Sequence, residues 1–102
     1  MAITSNGDAR FEVLCSTEVA RSILQLQRRA SRSGRGKQVA EAFRNIISRL
    51  QSDPYQIGEP AYRLAALRMQ IRTAALRPIA VTFGVCEDRR VVYIQSVKLL
   101  SG

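Results

Sequence analysis

The spacing of the apolar residues changes near residue 60, from the period of a helix to that of a strand. This change constrains the fold more than any other feature of the sequence. From about Lys37 to Gln51 the apolar residues recur three and four positions apart, as they do on one face of an α-helix. After Pro60 they alternate with polar residues or form β-rich runs, which is typical of strands. An α+β fold is therefore predicted. The helical stripe consists of Val39, Ala42, Phe43, Ile46, Ile47 and Leu50.

The residues before this helix predict a strand and a first helix. Apolar and polar residues alternate from Arg10 to Cys15, which indicates a short strand with one covered face. Ser16 or Thr17 then stands where an N-cap belongs, because a hydroxyl can accept a hydrogen bond from an unpaired amide there. The first helix is predicted from about Glu18 to Ser31. Residues 1–9 are interpreted as a flexible leader.

A glycine-containing turn separates the two helices. The tetrapeptide Ser33-Gly34-Arg35-Gly36 holds two glycines, which favour a turn over a continued helix. The second helix ends at Asp53-Pro54, because the residue before a proline disfavours the helical conformation. A connection this short predicts that the two helices form an antiparallel hairpin.

The stretch from Leu67 to Thr73 is predicted to be a strand with two unlike faces. We expect its apolar side to lie beneath the helical hairpin and its arginines to project from an uncovered sheet surface. A helix from Ala61 to Leu76 is the rival interpretation, since alanine and leucine favour helices. Leu67, Met69, Ile71 and Thr73 alternate here with Arg68, Gln70 and Arg72.

Two further β-rich runs close the sequence. Ile79–Cys86 and Arg90–Leu99 flank the polar turn Glu87-Asp88-Arg89, which predicts a β-hairpin. The order is then strand, helix, helix and three strands. A chain of 102 residues is long enough for one core, so residues 10–102 are assigned to a single domain.

Charge is the outlying quantity in the composition. Sixteen Lys and Arg residues oppose eight Asp and Glu residues, which gives a formal net charge of +8. This balance predicts attraction to a polyanion, either nucleic acid or an acidic protein segment, whereas a surface kept soluble by its charge is the alternative. The cations gather in two stretches without acids, Arg21, Arg28, Arg29, Arg32, Arg35 and Lys37 in the first and Arg63, Arg68, Arg72 and Arg77 in the second.

Several classes of site and location are excluded or disfavoured by composition. Histidine is absent, which excludes Ser-His-Asp and Cys-His catalysis and removes the usual zinc ligands. Cys15 and Cys86 lie at the ends of predicted strands and are expected to be buried, reduced thiols. No run approaches the roughly 18 apolar residues of a membrane span, and no secretory signal is recognised. We expect a cytoplasmic protein without membrane contact.

Three segments in the second half carry a resemblance to a known family. They are a helix ending in Leu50 and Asp53-Pro54, the Gly58-Glu59-Pro60 loop ahead of a basic stretch, and the hairpin Ile79–Val97 with its acidic turn. In order and spacing the chain resembles the RelE/ParE toxins of type II toxin–antitoxin systems. The resemblance extends from Arg10 over nearly the whole sequence.

This resemblance implies a fold and two modes of action. The fold is a two-layer β-α-α-β-β-β arrangement, with the helical hairpin packed on a small, twisted, mostly antiparallel sheet. A cognate antitoxin with an acidic segment would neutralise the toxin. RelE-type members cleave messenger RNA on the ribosome through attack by the ribose 2′-hydroxyl, without metal or cofactor, and ParE-type members inhibit DNA gyrase. The oligomeric state, a homodimer included, is left open.

The resemblance also implies site residues by position. Arg72 keeps a basic residue of the family's middle strand, whereas Gln70 replaces another. Arg77 is a candidate substitute for an arginine that is missing at Ala80, and Lys98 ends the last strand. Arg72, Arg77 and Lys98 are therefore the candidate catalytic residues. The resemblance also places Gln70 among the candidate nucleic-acid or partner contacts. The other candidate contacts come from the clustering of charge and are Arg63, Arg68, Arg28, Arg29, Arg32 and Arg35. For Arg28, Arg29, Arg32 and Arg35, a solvated helix end is the alternative interpretation.

Departures from the family pattern weaken the nuclease interpretation. The sequence ends at Gly102 without a segment that carries the family's catalytic tyrosine, and Tyr93 is expected to belong to the core. A positioned cation or proton-transfer group contributes about 10²–10⁴ in rate, so the loss of two or three leaves little nuclease activity. A non-catalytic action is favoured instead, either inhibition of DNA gyrase or a divergent toxin with another target. A non-toxic basic nucleic-acid-binding or adaptor domain is the alternative function.

Overall fold

Two helices and five strands make up residues 10–100, the part of the chain that the computed structural model describes. The predicted leader, residues 1–9, lies outside the described residues. The elements in chain order are β1 (Glu12–Cys15), α1 (Thr17–Arg32), α2 (Gly36–Ser52), β2 (Glu59–Leu64), a 3-10 turn (Ala65–Leu67), β3 (Met69–Leu76), β4 (Ile79–Cys86) and β5 (Val91–Leu99). The predicted α+β class is confirmed.

The five strands form one mixed sheet in the order β1-β5-β4-β3-β2. β1 runs parallel to β5, and every other neighbouring pair is antiparallel. A parallel pair cannot be joined by a tight turn, so the chain needs a long connection between β1 and the rest of the sheet. The helical hairpin provides the first part of that connection and covers one face of the sheet.

The helix ends follow the sequence signals. The Ser16 hydroxyl accepts a hydrogen bond from the Val19 amide at 3.1 Å, which confirms the predicted N-cap of α1. The backbone then turns at Gly34, whose φ of 78° is a conformation that favours glycine. In α2 the stripe predicted from the sequence packs inward, with Ile46 and Leu50 fully buried.

The main core lies between the helices and one sheet face. Every second residue of β4 contributes to it, and Phe83 at its centre is fully buried. Burial of one such side chain typically stabilises a fold by about 1.5–3 kcal/mol. The sheet residues of this core are Val13 and Cys15 of β1, Ala74 of β3, Ile79, Val81, Phe83 and Val85 of β4, and Val92, Ile94 and Val97 of β5.

A smaller apolar cluster lies on the sheet face opposite the helices. Met69, Ile71 and Cys86 are buried there, and the half-buried Tyr93 packs against them. Both cysteines are buried, as predicted. Within residues 10–100 neither helix combines the length and hydrophobicity that crossing a lipid bilayer requires.

β3 is a strand, so the rival prediction of a helix from Ala61 to Leu76 is wrong. The two faces of β3, however, are reversed relative to the prediction. Ile71 pairs with Gly84 and belongs to the cluster on the helix-free face, not to the core beneath the helices. Arg72 pairs with the core residue Phe83. Because directly paired residues share a face, Arg72 points toward the helix layer and not to an uncovered surface.

One strand was not predicted. β2 occupies Glu59–Leu64 and pairs with β3 at the edge of the sheet. The sequence predicted a loop through Gly58, Glu59 and Pro60 and no separate strand before Leu67. Its register shifts between Pro60 and Tyr62. A proline and an irregular register remove the alternation that identifies strands in a sequence, which explains the omission.

Candidate functional site

Arg72, the first catalytic candidate, is buried inside the protein with 7% of its surface exposed. Its Nε donates a hydrogen bond to the Ile57 carbonyl at 3.3 Å, and its Nη2 donates one to the Gly58 carbonyl at 3.0 Å. Its Nη1 donates to Gln70 Oε1 at 2.9 Å. The segment after α2 therefore folds over Arg72 and uses its guanidinium as a hydrogen-bond donor. The predicted projection of Arg72 from an open basic surface is wrong.

The neighbouring candidates Gln70 and Arg68 are also placed differently from the prediction. Gln70 is half-buried and holds the Arg72 guanidinium. Arg68 lies outside β3, in a left-handed conformation with φ 48°, where it ends the 3-10 turn. Its carbonyl accepts a hydrogen bond from the Glu87 amide at 2.9 Å. Arg68 is exposed, but it does not form a row with Arg72 along one strand face.

Arg63 on β2 is engaged by the turn between β4 and β5. Its Nε and Nη2 donate to the two carboxylate oxygens of Glu87 at 2.6 and 2.7 Å. This bidentate pair lowers the pKa of Glu87, chiefly through the hydrogen bond from Arg63, and raises the pKa of Arg63 for the same reason. A carboxylate of the chain itself thus occupies the guanidinium of this candidate contact.

Three arginines on α1 have side chains that are exposed to solvent. Arg28, Arg29 and Arg32, here called the α1 arginine set, are exposed and form no ion pair with a carboxylate within residues 10–100. Together they line one cavity of about 480 Å³. The rest of the lining comes from Ser22, Gln25 and Leu26 of α1 and from Val97 of β5. The cavity is thus a groove between α1 and β5 with a cationic rim.

The cations Arg35 and Arg77 line a second cavity, of about 650 Å³, between α2 and the turn joining β3 to β4. Arg35 donates a 3.4 Å hydrogen bond from Nη2 to the Leu100 carbonyl, whereas its buried Nε has no partner within the described residues. Glu41 lines the same cavity and brings a negative charge to it. The structure thus brings Arg77 together with Arg35 but not with Arg72.

Lys98, the third catalytic candidate, faces away from this cavity. Its neighbours Val97 and Leu99 pack on the main core, so the alternation of the strand directs Lys98 to the helix-free face. It is exposed and pairs with Ala80 across β4. Arg77, in contrast, lies on the helix side of the sheet. The three catalytic candidates therefore do not converge on one site.

A tyrosine that the sequence did not single out lies near the Arg63–Glu87 pair. The Tyr55 hydroxyl donates a 3.5 Å hydrogen bond to the Cys86 carbonyl, and its ring meets Phe11 edge to face with centroids 6.5 Å apart. Burial raises the pKa of Tyr55, and the charge of Glu87 raises it further. The sequence signal of Tyr55, one tyrosine directly after the helix-ending proline, was too weak to identify it.

Searches of protein-family models, of curated proteins and of solved structures find no match to this chain. The resemblance to RelE/ParE toxins therefore stays a prediction from the sequence.

Proposed function

We propose that this chain is the toxin of a type II toxin–antitoxin module, that it acts in the cytoplasm by binding rather than by cleaving RNA, and that an acidic antitoxin neutralises it. DNA gyrase is the proposed target, and ribosome-bound messenger RNA is the alternative within the same family. The strand-helix-helix order and the later antiparallel strands are compatible with the fold that the sequence resemblance implies.

The main support for the proposal is the exposure of the α1 arginine set. Its three guanidinium groups share one groove, are exposed, and lack a carboxylate partner within residues 10–100. Guanidinium groups bind carboxylates and phosphates with paired hydrogen bonds. A formal net charge of +8 adds long-range attraction for an anionic partner.

The placement of the catalytic candidates favours binding over cleavage. Electrostatic catalysis of phosphate transfer needs cations that already point at one reacting phosphate. Arg72 instead donates its hydrogen bonds to Ile57, Gly58 and Gln70. Arg77 and Lys98 lie on opposite sides of the sheet. Few groups are left to stabilise a pentavalent phosphate.

Two purified assays run side by side test this proposal. In the first, the chain is added to DNA gyrase and relaxed plasmid, and we expect loss of supercoiling. In the second, it is added to translating ribosomes, and we expect intact transcripts. Cut transcripts that disappear with Arg77→Ala would replace gyrase inhibition with RNA cleavage. If neither assay responds, the toxin proposal loses its support.

The same exposed arginines also favour a second candidate, a basic nucleic-acid-binding domain without toxicity. This candidate predicts binding to arbitrary duplex DNA or RNA that weakens steeply with salt, by about one power of the salt concentration for each phosphate contact. It also predicts that induced expression leaves growth unchanged, whereas the toxin proposal predicts growth arrest.

A further inference from the structure

β5 is paired over only part of its outer edge. β1 covers Val91–Ile94, whereas β5 itself continues to Leu99. On the other side β4 pairs with β5 as far as Leu99. Within residues 10–100, no strand pairs with the outer side of β5 beyond Ile94. Backbone amides and carbonyls on that edge are therefore open to a further strand.

The other sheet edge is protected in ways that this edge is not. β2 carries Pro60 and a register shift near its start, and Arg63 toward its end, all of which oppose pairing with another chain. The open part of β5 shows an irregularity only at its start, where the register shifts between Thr82 and Phe83 of β4. From Ser96 to Leu99 the pairing with β4 is regular, so this part of β5 can accept another strand in register.

The groove of the α1 arginine set adjoins this open edge. Val97, which belongs to the open part of β5, lines the groove together with Arg28, Arg29 and Arg32. Lys98 lies on the opposite face of the same part of the strand. A strand placed beside Ser96–Leu99 would thus meet positive charge above and below its plane.

We propose that Gln95–Leu99 and the α1 arginine set together form a docking site for an extended, acidic segment of a partner protein, which adds to the sheet as a sixth strand beyond the end of β1. Backbone hydrogen bonds to β5 supply sequence-independent affinity, and alternating acidic side chains supply specificity. The inference rests on the proposed function only in assigning that segment to the antitoxin.

Charge complementarity selects this occupant over others. A second copy of the chain would bring another α1 arginine set to the same edge, and like charges at close range oppose that pairing. RNA could satisfy the arginines but cannot form a β-ladder with the β5 backbone. An acidic peptide in extended conformation satisfies both the guanidinium groups and the open backbone groups.

A set of synthetic peptides tests the proposal on the purified chain, with no toxicity readout. The first peptide is ten residues of alternating glutamate and valine with blocked ends. The second carries glutamine at every glutamate. The third keeps the charge but is N-methylated at every second amide on the edge that would face β5, which removes strand hydrogen bonds. Binding is followed by titration calorimetry and by hydrogen exchange of the β5 amides.

The first peptide is expected to bind and to protect outward-facing amides within Ser96–Leu99. The glutamine and N-methylated peptides are expected to bind at least about tenfold more weakly. For the glutamine peptide, the loss of three exposed ion pairs corresponds to roughly a tenfold change. Failure of the first peptide to bind, or equal binding by the N-methylated peptide, overturns strand addition. If the β5 amides become more protected from hydrogen exchange as the protein concentration rises, without any peptide, then a second copy of the chain occupies the edge. That result would contradict the proposal.

Matched variants locate the site. Replacement of Arg28, Arg29 and Arg32 by Gln should weaken the acidic peptide by about tenfold, since three ion pairs are lost. Replacement of Arg21, Arg44 and Arg49 by Gln removes the same charge from exposed positions outside the groove and should change binding less than threefold. Equal losses in both variants would show attraction to net charge alone and would overturn the site. Because these assays use no gyrase, ribosome or growth readout, their failure leaves the toxin proposal to be tested separately.

Discussion

The guanidinium of Arg72 donates a hydrogen bond to the backbone carbonyl of Gly58 at 3.0 Å, across the boundary between the sheet and the segment that follows α2. A second hydrogen bond reaches the Ile57 carbonyl at 3.3 Å. Arg72 therefore fixes the path by which the chain leaves the helical hairpin and enters β2. The residue that the sequence suggested as catalytic has a structural role in this arrangement.

Arg72→Met is expected to destabilise the fold by about 1–3 kcal/mol, because it leaves the carbonyls of Ile57 and Gly58 without their donor. Arg72→Lys should recover only part of that loss, since one ammonium cannot reproduce the planar, multiply bonded guanidinium. Urea denaturation of the purified variants measures both effects. Unchanged stability in both variants would contradict a structural role and return Arg72 to the list of functional candidates.

Gly58→Ala is expected to be more damaging than Gly34→Ala, although both glycines have positive φ values, 72° and 78°. An added Cβ at Gly58 would lie 2.2 Å from the Thr73 carbonyl oxygen, whereas one at Gly34 meets nothing within 4 Å. The Gly34 variant carries only the conformational cost of about 1–2 kcal/mol. The Gly58 variant adds a backbone clash, typically about 1–3 kcal/mol more.

Thermal and urea unfolding of the two glycine variants measure this difference directly. Equal destabilisation would mean that the chain near β3 can move away from Gly58 at no cost. The close packing of the 53–58 segment on β3, which also buries Arg72, would then be incorrect.

The Arg63–Glu87 pair predicts a dependence of stability on pH. The pKa of Glu87 is lowered in the folded state, so the pair contributes stability at neutral pH and this contribution is lost as the pH falls through the folded-state pKa. Glu87→Gln should slightly lower stability at neutral pH and reduce its decline in acid. The effect is small because both side chains reach solvent.

Urea denaturation from neutral pH down to acid tests the pair, with Glu41→Gln as the matched control. Glu41 is an exposed carboxylate that forms no ion pair within the described part of the chain. If both variants show the same change in the acid range, the loss is a general effect of removing one carboxylate and not a property of the Arg63 contact.

The helices and the final hairpin could be predicted from the sequence because their hydrophobic patterns are unambiguous. In α2 the apolar stripe has one period and one buried face, and Ile46 and Leu50 lie in the core as expected. The run from Ile79 to Cys86 matches β4 at both ends. Pro60 and the irregular pairing that follows it concealed β2, because both remove the two-residue alternation.

The candidate site was less predictable because alternation does not identify which face is covered. β3 buries Ile71 on one face and Ala74 on the other, so the sequence could not assign the arginine side to solvent. The Arg63–Glu87 contact joins residues 24 positions apart, and only the fold brings them together. The α1 arginine set was recognisable as a cluster, but its groove depends on where β1 ends beside β5.

The proposed function requires that the α1 arginine set contacts the target of the toxin. Growth after induced expression in a bacterial host tests it most directly, with wild type beside the Gln variant of Arg28, Arg29 and Arg32 and the Gln variant of Arg21, Arg44 and Arg49. Wild type and the Gln variant of Arg21, Arg44 and Arg49 are predicted to arrest growth. The Gln variant of Arg28, Arg29 and Arg32 is predicted to permit growth, and thermal unfolding should show that it is still folded. Normal growth with wild type, or equal arrest by all three proteins at matched levels, would contradict the claim.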